Sequence, residues 1–100
     1  MRLNHQQAAV VLANAREILG DDTTVAVFGS RLDDSRRGGD LDLLVEATQR
    51  PTLLQRAELK LRLEQALGMP VDVITRARGT QPTPFQTLAM LRGIRLEQVK

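Results

Sequence analysis

Three aspartates and one glycine-serine step carry the chemistry that can be read directly from this chain. Asp40 and Asp42 flank a leucine in the run Gly39-Asp40-Leu41-Asp42-Leu43-Leu44-Val45. Its apolar residues predict a strand over residues 40–46, and alternation along a strand projects both carboxylates to one side. Ionised together they repel, so either one takes up a proton or a cation sits between them. Magnesium meets the second condition: it takes oxygen ligands, keeps part of its water shell, and is usually held by one or two carboxylates plus substrate phosphates. The pair therefore implies a phosphate-bearing partner. Taken alone, an Asp-x-Asp pair also marks the solvated face of an edge strand.

The order of the neighbouring motifs strengthens the first reading. Thr24-Val25-Ala26-Val27-Phe28 is rich in β-branched and apolar residues and stops at Gly29, as a buried strand does where it feeds a tight turn. Glycine lets the backbone approach a ligand closely, and the Ser30 hydroxyl can bond a phosphate oxygen. A third carboxylate, Asp72, sits in Met69-Pro70-Val71-Asp72-Val73-Ile74-Thr75, a second apolar run with proline at its mouth. An acid in such a run is costly to bury unless it is paired or liganded, although a strand-edge aspartate satisfied by solvent fits the same residues. Asp40, Asp42 and Asp72 together make a candidate metal and proton-transfer cluster.

Gly29-Ser30-Arg31, the run from Gly39 to Val45, and Val71-Asp72-Val73-Ile74 resemble, in this order, the minimal nucleotidyltransferases of the DNA polymerase beta superfamily. The resemblance covers most of the chain. It implies an α/β (α+β) fold, a small mixed β-sheet flanked by helices, in the order α-β-(short α)-β-α-β-α. It also implies ATP with magnesium as substrate, and transfer of a nucleotidyl group with loss of pyrophosphate. On that pattern Asp40 and Asp42 hold metal, Asp72 helps activate the attacking hydroxyl or hold a second metal, and Gly29, Ser30 and Arg31 hold the triphosphate. Relatives often read Gly-Ser-Arg-Ala-Arg-Gly, whereas Asp33 and Asp34 occupy the later positions here. Arg36 or Arg37 is then the candidate for the missing phosphate contact, since guanidinium suits phosphate. The alternative is a solvated turn whose charges answer one another.

These groups need elements to position them. Ala8, Val11, Leu12, Ala15, Ile18 and Leu19 recur at three- and four-residue intervals and predict a helix over residues 4–19 that stops at Gly20. His5, the sole histidine, reads as an exposed polar residue on its first turn. Residues 58–64 alternate like a strand, yet strong helix formers, Pro51 at the start and Gly68-Met69-Pro70 at the end predict a helix over residues 51–67. Leu54 and Leu61 then lie well round from Leu59 and Leu63, a surplus of apolar surface that fits either contacts beyond the sheet or a small protein with too few polar residues to cover itself. Residues 76–80, with Gly79 and two arginines, read as an exposed loop. Thr83-Pro84 begins a last helix that packs Phe85, Leu88, Ala89 and Leu91 and ends at Gly93, after which Ile94-Arg95-Leu96 adds a short strand or a packed tail.

Composition bounds the function classes. One hundred residues, 42% of them hydrophobic, predict one small domain over residues 1–100, which the resemblance implies is a minimal nucleotidyltransferase domain. The absence of cysteine excludes a disulfide framework and thiolate metal sites and fits the cytoplasm. The start of the chain lacks a signal-peptide pattern, and no apolar run nears the roughly 20 residues that span a bilayer. Fourteen basic against twelve acidic residues give only +2, and aromatic content is 2%, which argues against a nucleic-acid partner.

A core this small leaves no wall for an acceptor, so either the acceptor binds mainly through its own surface or another subunit, in a homo- or hetero-oligomer, supplies the missing wall. Minimal nucleotidyltransferases are often encoded beside a toxic HEPN ribonuclease. The resemblance therefore implies an antitoxin that transfers AMP to a tyrosine hydroxyl of a HEPN toxin. Two other readings stay open: a nucleotidyltransferase-fold antitoxin that neutralises its partner by binding alone, and nucleotidyl transfer to a small-molecule acceptor.

Overall fold

The computed structural model describes residues 3–28, 41–84, 86, 87 and 94–96. Its elements, in chain order, are α1 (His5–Leu19), β1 (Thr24–Phe28), β2 (Leu41–Ala47), α2 (Leu53–Leu67), β3 (Val71–Ala77) and β4 (Ile94–Arg95). The strands form one mixed sheet in the order β3-β2-β1-β4. Strand β1 runs antiparallel to both β2 and β4, whereas β2 and β3 are parallel. Parallel neighbours need a long crossover, and α2 provides it.

Both helices start where side chains satisfy orphan amides. Asn4 Oδ1 accepts from Gln7 N at 2.8 Å while Gln7 Oε1 accepts from Asn4 N at 3.0 Å, a reciprocal capping box. Thr52 and Gln55 repeat the arrangement at the head of α2. That helix accordingly begins at Leu53, with Pro51 ahead of the cap instead of inside the first turn. Its end is set by Gly68, whose φ of 69° lies in the left-handed region that glycine reaches without a Cβ penalty. Pro70 cannot donate to a ladder, so β3 begins at Val71 and runs to Ala77.

The alternation of Glu58 to Glu64 resolves as helix because residues two apart lie about 200° round an α-helix. Leu59 and Leu63 are fully buried, and Leu61 between them is 57% exposed. Those two leucines join Ala8, Val11, Leu12 and Ala15 of α1 against Val25, Val27, Leu41, Leu43, Val45 and Val71. One sheet face therefore carries the main core. The opposite face holds a smaller cluster of Phe28 and Leu44, with Ala26 and Ile74 packed on it.

The expected short helix between β1 and β2, and Phe85, Leu88, Ala89, Leu91 and Gly93, lie outside the described residues. Thr83 does cap a helical start: its Oγ1 accepts from Gln86 N at 3.1 Å and its carbonyl from Thr87 N at 2.9 Å. Ile94-Arg95 is a strand on β1, and Leu96 donates its amide to the Val25 carbonyl at 2.8 Å. No helix among the described residues is long and apolar enough to cross a membrane.

Candidate active site

Asp42 and Asp72 are the second residues of two parallel strands, and the ladder pairs them directly: Leu41 with Val71, Asp42 with Asp72, Leu43 with Val73. Paired residues on adjacent strands point to the same side, and strands lie about 4.8 Å apart. The fold thus sets the carboxylate-bearing positions side by side on the face opposite the main core. Asp42 is half-buried and Asp72 exposed. Of the two readings of Asp72, the exposure matches a strand-edge aspartate satisfied by solvent and not an acid buried among apolar neighbours. Val71 and Val73 point to the other face of the edge strand, so Asp72 meets water and is available to a ligand.

The end of β1 reaches the same place. Phe28 pairs with Asp42 across the antiparallel ladder, so β1 ends and β2 begins where the two aspartates stand. Gly29, Ser30, Arg31, Arg36, Arg37 and Asp40 belong to the connection between those strand ends and lie outside the described residues. Among the described residues no group of three or more His, Cys, Asp or Glu is placed to hold a metal. The pair that is described still suits one: two hard carboxylate donors on a solvent-facing surface leave coordination positions for phosphate oxygens and water, the donor set magnesium prefers.

Further along the same face, the residue pairs change in character. Leu44 pairs with Ile74, and Glu46 with Arg76. Arg76 Nη1 meets Glu46 Oε2 at 2.6 Å, with the Arg76 side chain only 10% exposed, and its Nη2 donates to the Thr80 carbonyl at 2.6 Å. The expected loop therefore begins two residues later than its composition indicated. Arg76 and Ala77 complete β3, and Arg76 is a part-buried ion-pair partner. Arg78 also has structural work: it donates to the Asp22 carbonyl at 2.7 Å, beside an Asp22 ion pair at 3.5 Å. The sequence does hold a signal for the first pair, since Asp42, Leu44 and Glu46 match Asp72, Ile74 and Arg76 step for step once the strands are aligned.

The start of β3 is anchored from α2. Val71 N donates to Glu64 Oε2 at 2.9 Å, and Lys60 Nζ donates to the Val71 carbonyl at 2.6 Å and meets Glu64 at 3.0 Å. The Val71 amide first, then Lys60, holds the Glu64 carboxyl below the usual glutamate range. This clamp acts one residue before Asp72 and fixes the strand that presents it. His5 is exposed on the first turn of α1, as expected.

A family model described as Nucleotidyltransferase domain matches residues 11–94. The chain is 39% identical over 51 residues to a proposed protein adenylyltransferase of Methanocaldococcus jannaschii, a match covering 50% of this chain and 55% of that protein. The chain thus spans about half the length of that curated relative. A solved structure of a proposed minimal nucleotidyltransferase is 34% identical, with a TM-score of 0.69, covering 89% of this chain and 88% of its own. A solved complex of tri-AMPylated Shewanella oneidensis HEPN toxin with MNT antitoxin matches at a TM-score of 0.74 and 20% identity, over 97% of this chain and 74% of the matched chain. At that identity the likeness to the complex is one of fold.

Proposed function

Because the chain belongs to the nucleotidyltransferase-domain family, we propose that it transfers AMP from ATP to a hydroxyl of a protein partner, a tyrosine of a HEPN toxin, and so acts as its antitoxin. The observation that carries this reading is the pairing of Asp42 with Asp72 at the sheet end where β1 stops. The protein adenylyltransferase name of the curated relative and the AMPylated toxin bound to an MNT antitoxin support the choice of reaction and partner.

In this mechanism Asp42, with Asp40, would hold magnesium. When bound, magnesium screens the triphosphate and lowers the cost of charge developing on the leaving group. Gly29 and Ser30, with Arg31 and Arg37, cradle the phosphates. Asp72 accepts the proton of the attacking hydroxyl as its oxygen bonds the α-phosphorus and the bond to pyrophosphate breaks. The exposure of Asp72 on the edge strand leaves room for a partner's side chain to approach it.

Incubation of the chain with α-labelled ATP, magnesium and a HEPN toxin tests the proposal. Covalent label on the partner, lost with Asp42→Asn, is the expected result. A tight but unlabelled complex would instead assign neutralisation by contact, and label on a small molecule alone would move the acceptor out of the protein class.

A further inference from the structure

A second feature of β3 lies away from the aspartates. The hydrogen bonds Leu41 N to the Pro70 carbonyl and Arg78 N to the Ala47 carbonyl show that the even-numbered residues of β3 face β2. Val71, Val73 and Thr75 therefore turn their main-chain groups outward, because these groups alternate sides along a strand. Glu64 and Lys60 occupy those of Val71, and Gln86 Nε2 donates to the Thr75 carbonyl at 3.1 Å. Among the described residues, the Val73 amide and carbonyl and the Thr75 amide take no partner.

This edge borders a cleft of about 510 Å³ whose walls include Val73, Thr75, Arg50, Arg56 and Arg76. Arg50 and Arg56 are exposed and have no carboxylate partner among the described residues. Arg76 is nine-tenths buried, and its Nε has no acceptor although both terminal nitrogens are used. Among the described residues no acidic side chain lines the cleft. It thus combines an open stretch of strand edge with two exposed arginines that no described carboxylate answers, and those two needs are met together by an extended chain bearing carboxylates.

We infer that this cleft docks an extended acidic peptide segment, which pairs with the open Val73–Thr75 stretch of the β3 edge while its carboxylates meet Arg50 and Arg56. Main-chain bonds along an exposed edge supply affinity, and alternate side chains supply selectivity. Guanidinium groups pair carboxylates bidentately, which favours acidic over neutral segments. Asp72 is about 13 Å from Arg76 along the same strand, at ~3.3 Å per residue. A segment docked here would pass the proposed reacting carboxylate; that it belongs to the hydroxyl acceptor rests on the transfer reading, whereas the docking itself does not.

The test needs neither nucleotide nor metal. Fluorescence anisotropy of the intact chain with a labelled peptide of alternating Glu and Val should show saturable binding. Doubling Arg50→Ala with Arg56→Ala should weaken it about tenfold or more, with an unchanged far-ultraviolet circular dichroism spectrum. Alternating Lys and Val should not bind, and N-methylation of every second peptide amide should abolish binding. Three results would overturn the proposal: no binding of the acidic peptide, equal binding of its N-methylated form, or arginine-dependent binding of inorganic phosphate alone that displaces the peptide. Loss of label transfer with docking intact would sink the transfer reading and leave this one standing.

Discussion

Glu46 and Arg76 form a 2.6 Å ion pair across the same two strands that set Asp42 beside Asp72. One register thus produces both an acid–base pair and an acid–acid pair on a single face. The acid–base pair lies at the far end of the ladder, where it holds the strands together. The acid–acid pair lies at the near end, where β1 stops.

Replacing Asp42 or Asp72 with Asn should lower transfer about a hundredfold or more while leaving the fold in place. Asp72 is exposed, so Asp72→Asn should change unfolding free energy by less than about 0.5 kcal/mol. Label-transfer rates alongside urea unfolding curves check both halves. A large stability loss in Asp72→Asn would recast that residue as structural.

Magnesium should stabilise the native chain through linkage, by about 2.7 kcal/mol at ~100 times its dissociation constant. Thermal unfolding with and without magnesium chloride measures the effect. The upward shift should shrink in Asp42→Asn. An undiminished shift in that variant would place the metal elsewhere.

Arg76→Ala should cost about 1–3 kcal/mol, because it leaves Glu46, whose side chain is 24% exposed, without its partner. A double-mutant cycle with Glu46→Ala isolates the pair. The two substitutions should be clearly non-additive, with the double variant more stable than the sum of single losses predicts.

Glu64 gives the clamp on β3 a pH dependence. Its folded-state pKa lies below the ordinary glutamate value, so the stabilisation is present above that value and is lost as pH falls through the folded pKa. The midpoint difference between the native chain and Glu64→Gln should therefore be widest near neutrality and narrow on acidification. Melting curves at several pH values check the direction, and a gap that widened in acid would contradict it.

The leucines of α2 should separate sharply. Leu59→Ala and Leu63→Ala should each cost about 2–5 kcal/mol, the range for emptied core sites. Leu54→Glu and Leu61→Glu should change stability by no more than about 0.5 kcal/mol. Leu54 is 78% exposed and Leu61 57%. Denaturant midpoints with constant slopes distinguish the two groups.

Local chemistry was enough to place most of these elements. The periodicity of residues 8–19, the β-branched run before Gly29, and the acids set in apolar stretches each depend on neighbours within one or two turns or along one strand, so α1, β1, the two aspartate-bearing strands and the resemblance to nucleotidyltransferases were readable in the chain. The ends were less so. Pro51 by its type marks the head of α2, but the Thr52–Gln55 side-chain exchange satisfies the orphan amides and moves the start to Leu53. Arg76 has the charge and the nearby Gly79 of a loop residue, whereas Glu46, 30 residues away in sequence, pairs with it within the strand.

The sequence by itself determined which residues carry carboxylates and that Asp42 and Asp72 lie on strands. Only the tertiary structure decided that β2 and β3 run parallel with Asp42 opposite Asp72, that Asp72 lies exposed on an edge, and that Arg50 and Arg56 gather beside an open strand edge. The physical reason is that alternation within a strand is a local property, while register between strands is set by the burial of one whole face and by the crossover joining them. A slip of one residue would turn every side chain to the other face, and the core of α1 and α2 against Leu41, Leu43 and Val45 excludes that slip.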